Sequence, residues 1–271
     1  MCATRKASRS RNGPGKNSGE RRGSQERLVP VSGWYACLAL FERRPGDIRR
    51  IVVEKRKAKL LGRILSWAAG CRLPYKTAGP EELSKVAGTT HHEGIVLVAR
   101  EKPVLPAEEL SAGTAGPVVA LDSVANPHNL GAILRTAAFF GVKALVVAGS
   151  GAPRRLSPAV LRTSEGGAEV VEVYRSEDLP SVLENLKKQG LKVVGTDVFG
   201  KNLFKHASRL PEPLRSCLVL GSESAGMSPE VRDKCDILIR IPGSGSVESL
   251  NVSVACAVLL AFLQAKSSDL S

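Results

Sequence analysis

The sequence contains no pair of cysteines or histidines spaced to hold a metal or to exchange disulfides. Its six cysteines, Cys2, Cys37, Cys71, Cys217, Cys235 and Cys256, lie far apart with no C-x-x-C among them, and they read as reduced, mostly buried thiols. His91 and His92 are adjacent, so on a strand or helix they point different ways and make a poor metal pair. No metal is expected. Long apolar runs are also missing. The longest, 254–263, has about half the length a bilayer requires and is expected to be a core helix. Segment 1–27 lacks the apolar stretch of a secretory signal, so a cytoplasmic protein is expected. Neither a G-x-G-x-x-G fingerprint nor a G-x-S-x-G nucleophile elbow occurs where a dinucleotide fold or a hydrolase would place one, which argues against an oxidoreductase or hydrolase.

What the sequence does have is positive charge. The formal charge is +13, with 39 Lys and Arg against 26 Asp and Glu, and the pI of 9.7 points to a polyanionic partner, nucleic acid above all. Charge is concentrated at the start: residues 1–30 hold eight basic and two acidic side chains and almost no large apolar ones before Leu28. Segment 1–29 is therefore expected to be a disordered basic arm, either touching RNA phosphates or serving as a solvated leader.

A chain of 271 residues suggests about two domains. After the arm, short apolar strands alternate with helical stretches, the pattern of an α/β fold. Strands are expected at 51–53 and 95–98, and helices near 38–41, 58–69 and 80–87, giving a small first domain over 30–100. Segment 101–116 has prolines and no periodicity and reads as a linker. The second domain, 117–271, shows strands at 117–121, 144–148, 170–173, 192–195, 216–220 and 237–241. Helices over 130–140 and 177–189 each stop at a glycine, Gly141 and Gly190. The alternation implies a largely parallel sheet, whose ligands bind beyond the carboxyl ends of the strands.

Three loops there are unusual. The first leads through Asn126-Pro127-His128 to Asn129, placed where a helix cap would sit, and on to Arg135. Because apolar residues flank Arg135, a buried guanidinium waiting for a phosphate or carboxylate is expected. The second, 220–226, carries Gly221, Glu223 and Gly226; its glycines allow a ligand close to the backbone, and Glu223 is either functional or a helix-proximal acid. The third, 241–251, has Gly243, Ser244 and Gly245 in succession and can wrap around a ligand. Residue chemistry alone reaches a ligand-binding α/β domain with RNA affinity.

The runs N-L-G-A-I-L-R over 129–135, L-G-S-E-S-A-G over 220–226 and I-P-G-S-G-S-V-E-S-L-N-V-S-V-A over 241–255 resemble, in order and spacing, the three motifs of the SpoU/TrmH methyltransferases of the SPOUT superfamily. The likeness covers roughly 118–263, and 33–100 is similar to the small substrate-binding domain that precedes it in many members. The run S-V-A-N-P-H-N-L-G and the Gly243 loop are similar to the YfiF-like branch; Gly243 departs from the methionine commoner in the family.

The resemblance implies a C-terminal domain with a parallel sheet and a deep trefoil knot, a ribosomal-protein-like first domain that binds RNA, and a homodimer. It implies S-adenosyl-L-methionine as cofactor and the 2'-hydroxyl of a tRNA or rRNA ribose as the methylated group. Carried over by motif, Gly195, Thr196, Gly221, Ile241 and Leu250 would hold the cofactor. Arg135 would act at the reacting centre, with Asn129 orienting it or the nucleotide, Glu223 offsetting its charge, and Ser249 and Asn251 bonding around the ribose. Arginine is a poor base at neutral pH, so positioning is the expected role. A catalytically idle RNA-binding protein that kept the fold is the alternative.

Overall fold

A computed structural model describes residues 26–111, 117–149 and 151–268. Most of the arm expected over 1–29 lies outside the described residues, but its last residues do not extend away from the fold. Strand β1 (Leu28–Ser32) already belongs to a sheet, and Glu26 pairs with Arg49 at 2.7 Å and with Arg100. Pro30 interrupted the strand pattern in the sequence; it is tolerated because β1 is an edge strand with one neighbour.

The first sheet has the order β1-β4-β2-β3. Chain order runs β1, α1 (Trp34–Arg43), β2 (Ile48–Glu54), α2 (Gly62–Gly70), β3 (Tyr75–Ala78), α3 (Pro80–Ala87) and β4 (Ile95–Arg100). Strand β4 is antiparallel to β1 and β2, while β3 joins β2 in parallel. Ile51, Val52 and Val53 are all fully buried, because the sheet is covered on both faces. Val52 and Val96 pack with Leu83 and Ala87 of α3 on one face, and Ile51 and Leu97 join Cys37 and Leu40 of α1 on the other.

The second sheet is parallel throughout, with the order β11-β9-β10-β6-β7-β8-β5. Its elements are β5 (Leu105–Pro106), β6 (Val118–Asp122), α4 (Pro127–Phe139), β7 (Ala144–Ala148), α5 (Pro158–Thr163), α6 (Gly167–Val170), β8 (Glu172–Ser176), α7 (Leu179–Lys188), β9 (Lys192–Asn202), β10 (Ser216–Gly221), α8 (Pro229–Asp233), β11 (Ile237–Arg240) and α9 (Val252–Ser268). Central β6 and β7 are buried at every position, as strands covered on both faces must be. Alternate residues serve the two faces. Val119 and Leu121 meet α4 and α9, whereas Val118 and Ala120 meet Leu179 and Leu183 of α7.

Three expectations need correction. The segment expected as a linker contributes β5, which adds to the sheet edge beside β8; two residues are too short to show a period. The strand expected at 170–173 starts later. Gly166 at φ +92° and Gly167, where a Cβ would meet the Leu134 carbonyl oxygen at 2.5 Å, let the short helix α6 nestle on α4 before β8 begins. And β9 runs beyond 195 to Asn202, with residues 196–200 looped out between two stretches that pair with β11.

The two halves share one hydrophobic cluster, running from Val29 and Leu40 to Val119 and Leu134. At the seam, Gly166 lies where a Cβ would stand 2.6 Å from Ala39 Cβ. Arg44, at the C-terminal cap of α1, grips the buried Glu169 carboxylate of α6 with two bonds, 2.7 and 3.0 Å. The second half is thereby held in fixed relation to the first.

Candidate active site

The loops that follow β6, β10 and β11 leave the sheet at the same edge, because all its strands run in one direction. Gly221 stands beside Asp122 in register. The chain after Gly221 closes into a tight turn, in which Ser222 N donates to the Gly226 carbonyl (3.1 Å) and Gly226 N to the Ser222 carbonyl (2.9 Å). A Cβ on Gly221 would lie 2.0 Å from the Gly226 carbonyl carbon, so only glycine fits there.

The turn presents Glu223 to the other two loops. Its Oε1 accepts from Asn129 Nδ2 (2.9 Å), Asn251 Nδ2 (2.5 Å) and the Val252 amide (3.2 Å). Asn251 Nδ2 also donates to Asn129 Oδ1 (3.0 Å), closing a ring of three side chains, one from each loop. Asn251 Oδ1 in turn accepts from the Ser253 amide and hydroxyl at the start of α9, as an N-terminal cap does. The three motifs read from the sequence are therefore physically joined, and the ring is open to solvent.

Asn129 is not the cap of α4. Asn126 takes that role, accepting from the His128 amide at 2.9 Å, and Pro127 occupies the first helical turn. That leaves the Asn129 side chain free to reach Glu223. The helix starts three residues earlier than its apolar spacing suggested, because the early residues are polar.

Arg135 also departs from expectation. It is 60% exposed, since Leu130, Ile133, Leu134 and Ala137 form the buried face of α4 and position 135 falls opposite. Its guanidinium pairs at 2.8 Å with Glu165, not with Glu223. Glu165 sits in the turn between α5 and α6 at φ +44°, a left-handed backbone uncommon for glutamate. Sequence reading missed this residue; the signal available was a lone acid before two glycines, Gly166 and Gly167. It also missed Asp122. That buried carboxylate accepts from the Ser228 amide (2.7 Å) and hydroxyl (2.9 Å), pinning the end of the second loop to the first.

The residues expected to hold a cofactor come from adjacent strand ends. Gly195 of β9 is buried beside Leu238 of β11, and a Cβ there would meet Cys235 Sγ at 2.5 Å. Its smallness serves packing as well as access. Thr196 follows at the start of the looped-out stretch, Ile241 is half-buried, and Leu250 is exposed. Ser249 is exposed and its hydroxyl makes no hydrogen bond among the described residues. Segment 242–250 forms no backbone-to-backbone hydrogen bonds among the described residues, and Gly243 and Gly245 have open space where a Cβ would be. Exposed Val247 and Leu250 accompany this free backbone. Backbone donors and acceptors beside apolar side chains suit the edges and faces of an adenine.

Cys235 packs against Gly195, but its thiol is not set up to react. Burial, with Asp236 adding to it, pushes the Cys235 thiol up to about 11, and burial pushes Cys256 up to about 12, so both stay protonated and unreactive near neutrality. No group of acids, histidines and cysteines that could hold a metal occurs among the described residues. No described helix is long and apolar enough to cross a membrane.

Fold and site together define a parallel α/β protein with three ring-linked loops at the carboxyl ends of its strands and a second sheet attached. The chain belongs to the SpoU rRNA methylase family: that family's model matches residues 116–261, and a model for RNA 2'-O ribose methyltransferase substrate binding matches 30–105. Among curated relatives, it is 37% identical to the uncharacterized tRNA/rRNA methyltransferase YfiF of Escherichia coli O157:H7 over 85% of this chain, spanning 66% of that protein's length. It is 34% identical to the 23S rRNA (guanosine-2'-O-)-methyltransferase RlmB of Nitrosomonas europaea, with 85% of this chain and 88% of that one covered. The fold matches the SpoU methyltransferase AviRb of Streptomyces viridochromogenes in complex with AdoMet, with a TM-score of 0.71 at 23% identity over 93% of this chain and 95% of that one. A TrmH-family structure from Porphyromonas gingivalis matches with a TM-score of 0.65 at 27% identity, over 88% and 90% of the two chains.

Proposed function

We infer that this protein transfers a methyl group from S-adenosyl-L-methionine to the 2'-hydroxyl of a ribose in tRNA or rRNA. The observation that carries the reading is the ring of Asn129, Glu223 and Asn251, which unites all three family motifs at the carboxyl edge of the sheet.

The bound cofactor supplies an electrophilic methyl group on a sulfonium, so that an O–C bond forms as a C–S bond breaks. The exposed segment 242–250, with Ile241, Leu250, Gly221, Gly195 and Thr196, would hold it. Arg135 acts by position and not as the base, since an arginine side chain carries donors and no acceptor. Its planar donor fork grips the phosphate beside the target ribose and fixes the hydroxyl in line with the methyl group. Glu165 neutralises and aims Arg135 before RNA arrives. The Asn129–Glu223–Asn251 ring keeps the three loops in register, Ser249 offers a free hydroxyl to the ribose, and the proton leaves to water through the open face.

The domains divide this work: 30–100 holds RNA and 117–271 holds the cofactor and chemistry. The working state is a homodimer in the cytoplasm, with the last part of the chain threaded as a trefoil knot. Support for the dimer comes from large apolar side chains left bare on the packed helices α4 and α9, Phe139 at 83% and Val254 at 48% exposure. Site-by-site mapping of ribose methylation in total RNA, with and without the gene, tests the function. Loss of a single 2'-O-methyl site is expected; loss of a base methyl instead would overturn the ribose chemistry.

A further inference from the structure

A cavity of about 640 Å³ opens in the first half of the molecule, beside the first turn of α1. Trp34 forms one wall, with the Lys57 ammonium 5.3 Å from its ring centroid. The Trp34 amide donates to Glu93 Oε2 at 2.5 Å, which fixes the start of the helix. His92 lines the floor in a single tautomer: its Nδ1 accepts from the Gly94 amide at 3.0 Å, so Nε2 carries the hydrogen and donates to the Pro80 carbonyl at 3.2 Å. Arg56 stands at the mouth with its side chain 77% exposed, tethered by Glu54. The site is thus a slot lined by the Trp34 ring, the fixed His92 imidazole and the cations Arg56 and Lys57, with the carboxylates of Glu54, Glu81 and Glu93 also in its lining.

The start of α1 beside the slot packs against α5, the helix that leads to Glu165. Gly33, the residue before Trp34, lies with its Cβ position 3.5 Å from Arg162 Cγ. Arg162 is on α5, three residues ahead of Glu165, which holds Arg135. Helix α5 thus sets Arg162 against the start of α1, where Glu93 Oε2 also lies 3.8 Å from the Gly33 Cβ position, and ends at the turn that carries Glu165.

We propose that this slot takes an unpaired nucleobase of the RNA whose target ribose lies at Arg135, with the base stacked on the Trp34 indole and its phosphate held by Arg56 and Lys57. The proposal rests on the RNA methyltransferase reading and extends it to a second contact on the same strand. A flat apolar face suits every base, and the cation now lying over the ring moves aside to the phosphate as the base enters. A fixed His92 and a carboxylate-tethered Arg56 keep the slot open in advance, so little ordering accompanies binding.

The chain has two tryptophans, so a Trp67→Phe variant leaves Trp34 as the only indole reporter. Titration of that variant with a single-stranded adenosine RNA hexamer is expected to quench its emission to saturation, and inorganic polyphosphate of equal charge is expected not to. Trp34→Leu should weaken hexamer binding roughly 5- to 150-fold, the range for losing one stacked base. It should raise KM for RNA by a similar factor, with kcat at saturating RNA and cofactor affinity unchanged. Should Trp34→Leu misfold, the surface double variant Arg56→Ala/Lys57→Ala must weaken the hexamer and lower the salt dependence of its binding. Equal quenching by polyphosphate, an indole that stays silent, or an unchanged KM overturns the slot. If the unaltered protein transfers no methyl group yet the hexamer still quenches Trp34, the enzyme reading fails and the nucleobase slot stands. Active enzyme with a silent Trp34 is the reverse.

Discussion

Asn129 and Glu223, ninety-four residues apart in the chain, are joined by a hydrogen bond of 2.9 Å, and Asn251 closes the ring by bonding to both. One carboxylate oxygen thus receives donors from two other loops, a charge-assisted arrangement that a neutral amide oxygen reproduces only in weaker form.

Glu223→Gln is therefore expected to lower kcat about ten- to a hundredfold, because loops displaced by a fraction of an ångström misplace the reacting groups. The glutamine oxygen still accepts, but more weakly, so the thermal midpoint should move little. Steady-state methyl transfer with a calorimetric scan measures both, and undiminished kcat would remove Glu223 from the machinery.

Arg135→Ala should abolish methyl transfer while leaving S-adenosylmethionine binding nearly intact, since Arg135 faces solvent and contacts Glu165 alone by charge. Arg135→Lys should not restore activity, because an ammonium lacks the planar two-pronged donor geometry. Isothermal calorimetry for the cofactor and tritium transfer for the reaction separate the two effects. Full activity in the alanine variant would sink the assignment.

At Gly221, even one methyl group has nowhere to go, with the Gly226 carbonyl carbon 2.0 Å from the Cβ position. Gly221→Ala should displace the 222–226 turn, weaken cofactor binding at least tenfold, and destabilise the protein by about 1–3 kcal/mol as overpacking does. Gly243→Ala is the control. It meets open space, and it should leave stability unchanged in the same denaturant titration.

Acid should unpin one corner of the second sheet. Burial pushes the Asp236 carboxyl up, but the Val193 amide and Lys187 outweigh it and hold it below its ordinary value. A carboxyl depressed in the folded state stabilises fully above its unfolded value of about 3.9 and loses that contribution as pH falls through the folded value. The stability gap between the wild type and Asp236→Asn should thus be widest near neutrality and shrink toward pH 3. A gap independent of pH would mean that neither the Val193 amide nor Lys187 favours the charged carboxyl.

Much of the scaffold was legible in the chain. The strands of β7 and β10, the helix stops at Gly141 and Gly190, and the three loops are local patterns of apolar spacing and small residues. The pieces that escaped are those set by non-local neighbours. Edge strand β5 exists because β8 offers a ladder, and β3 because β2 does. The outward guanidinium of Arg135 is different: it follows from the local stripe Leu130, Ile133, Leu134 and Ala137 that α4 buries, a spacing masked by the apolar residues that flank position 135.

By itself, the sequence determined the α/β class, the basic character, the absence of metal-spaced cysteines and the identities and order of the three motifs, since all of these are properties of neighbours along the chain. Only the tertiary structure decided which side chains meet. It gave Glu223 to Asn129 and Asn251, gave Arg135 to Glu165, brought Asp122 to Ser228, and set Trp34 within reach of Lys57. Such pairings depend on how sheets and helices stack across long stretches of chain, and no local spacing encodes them.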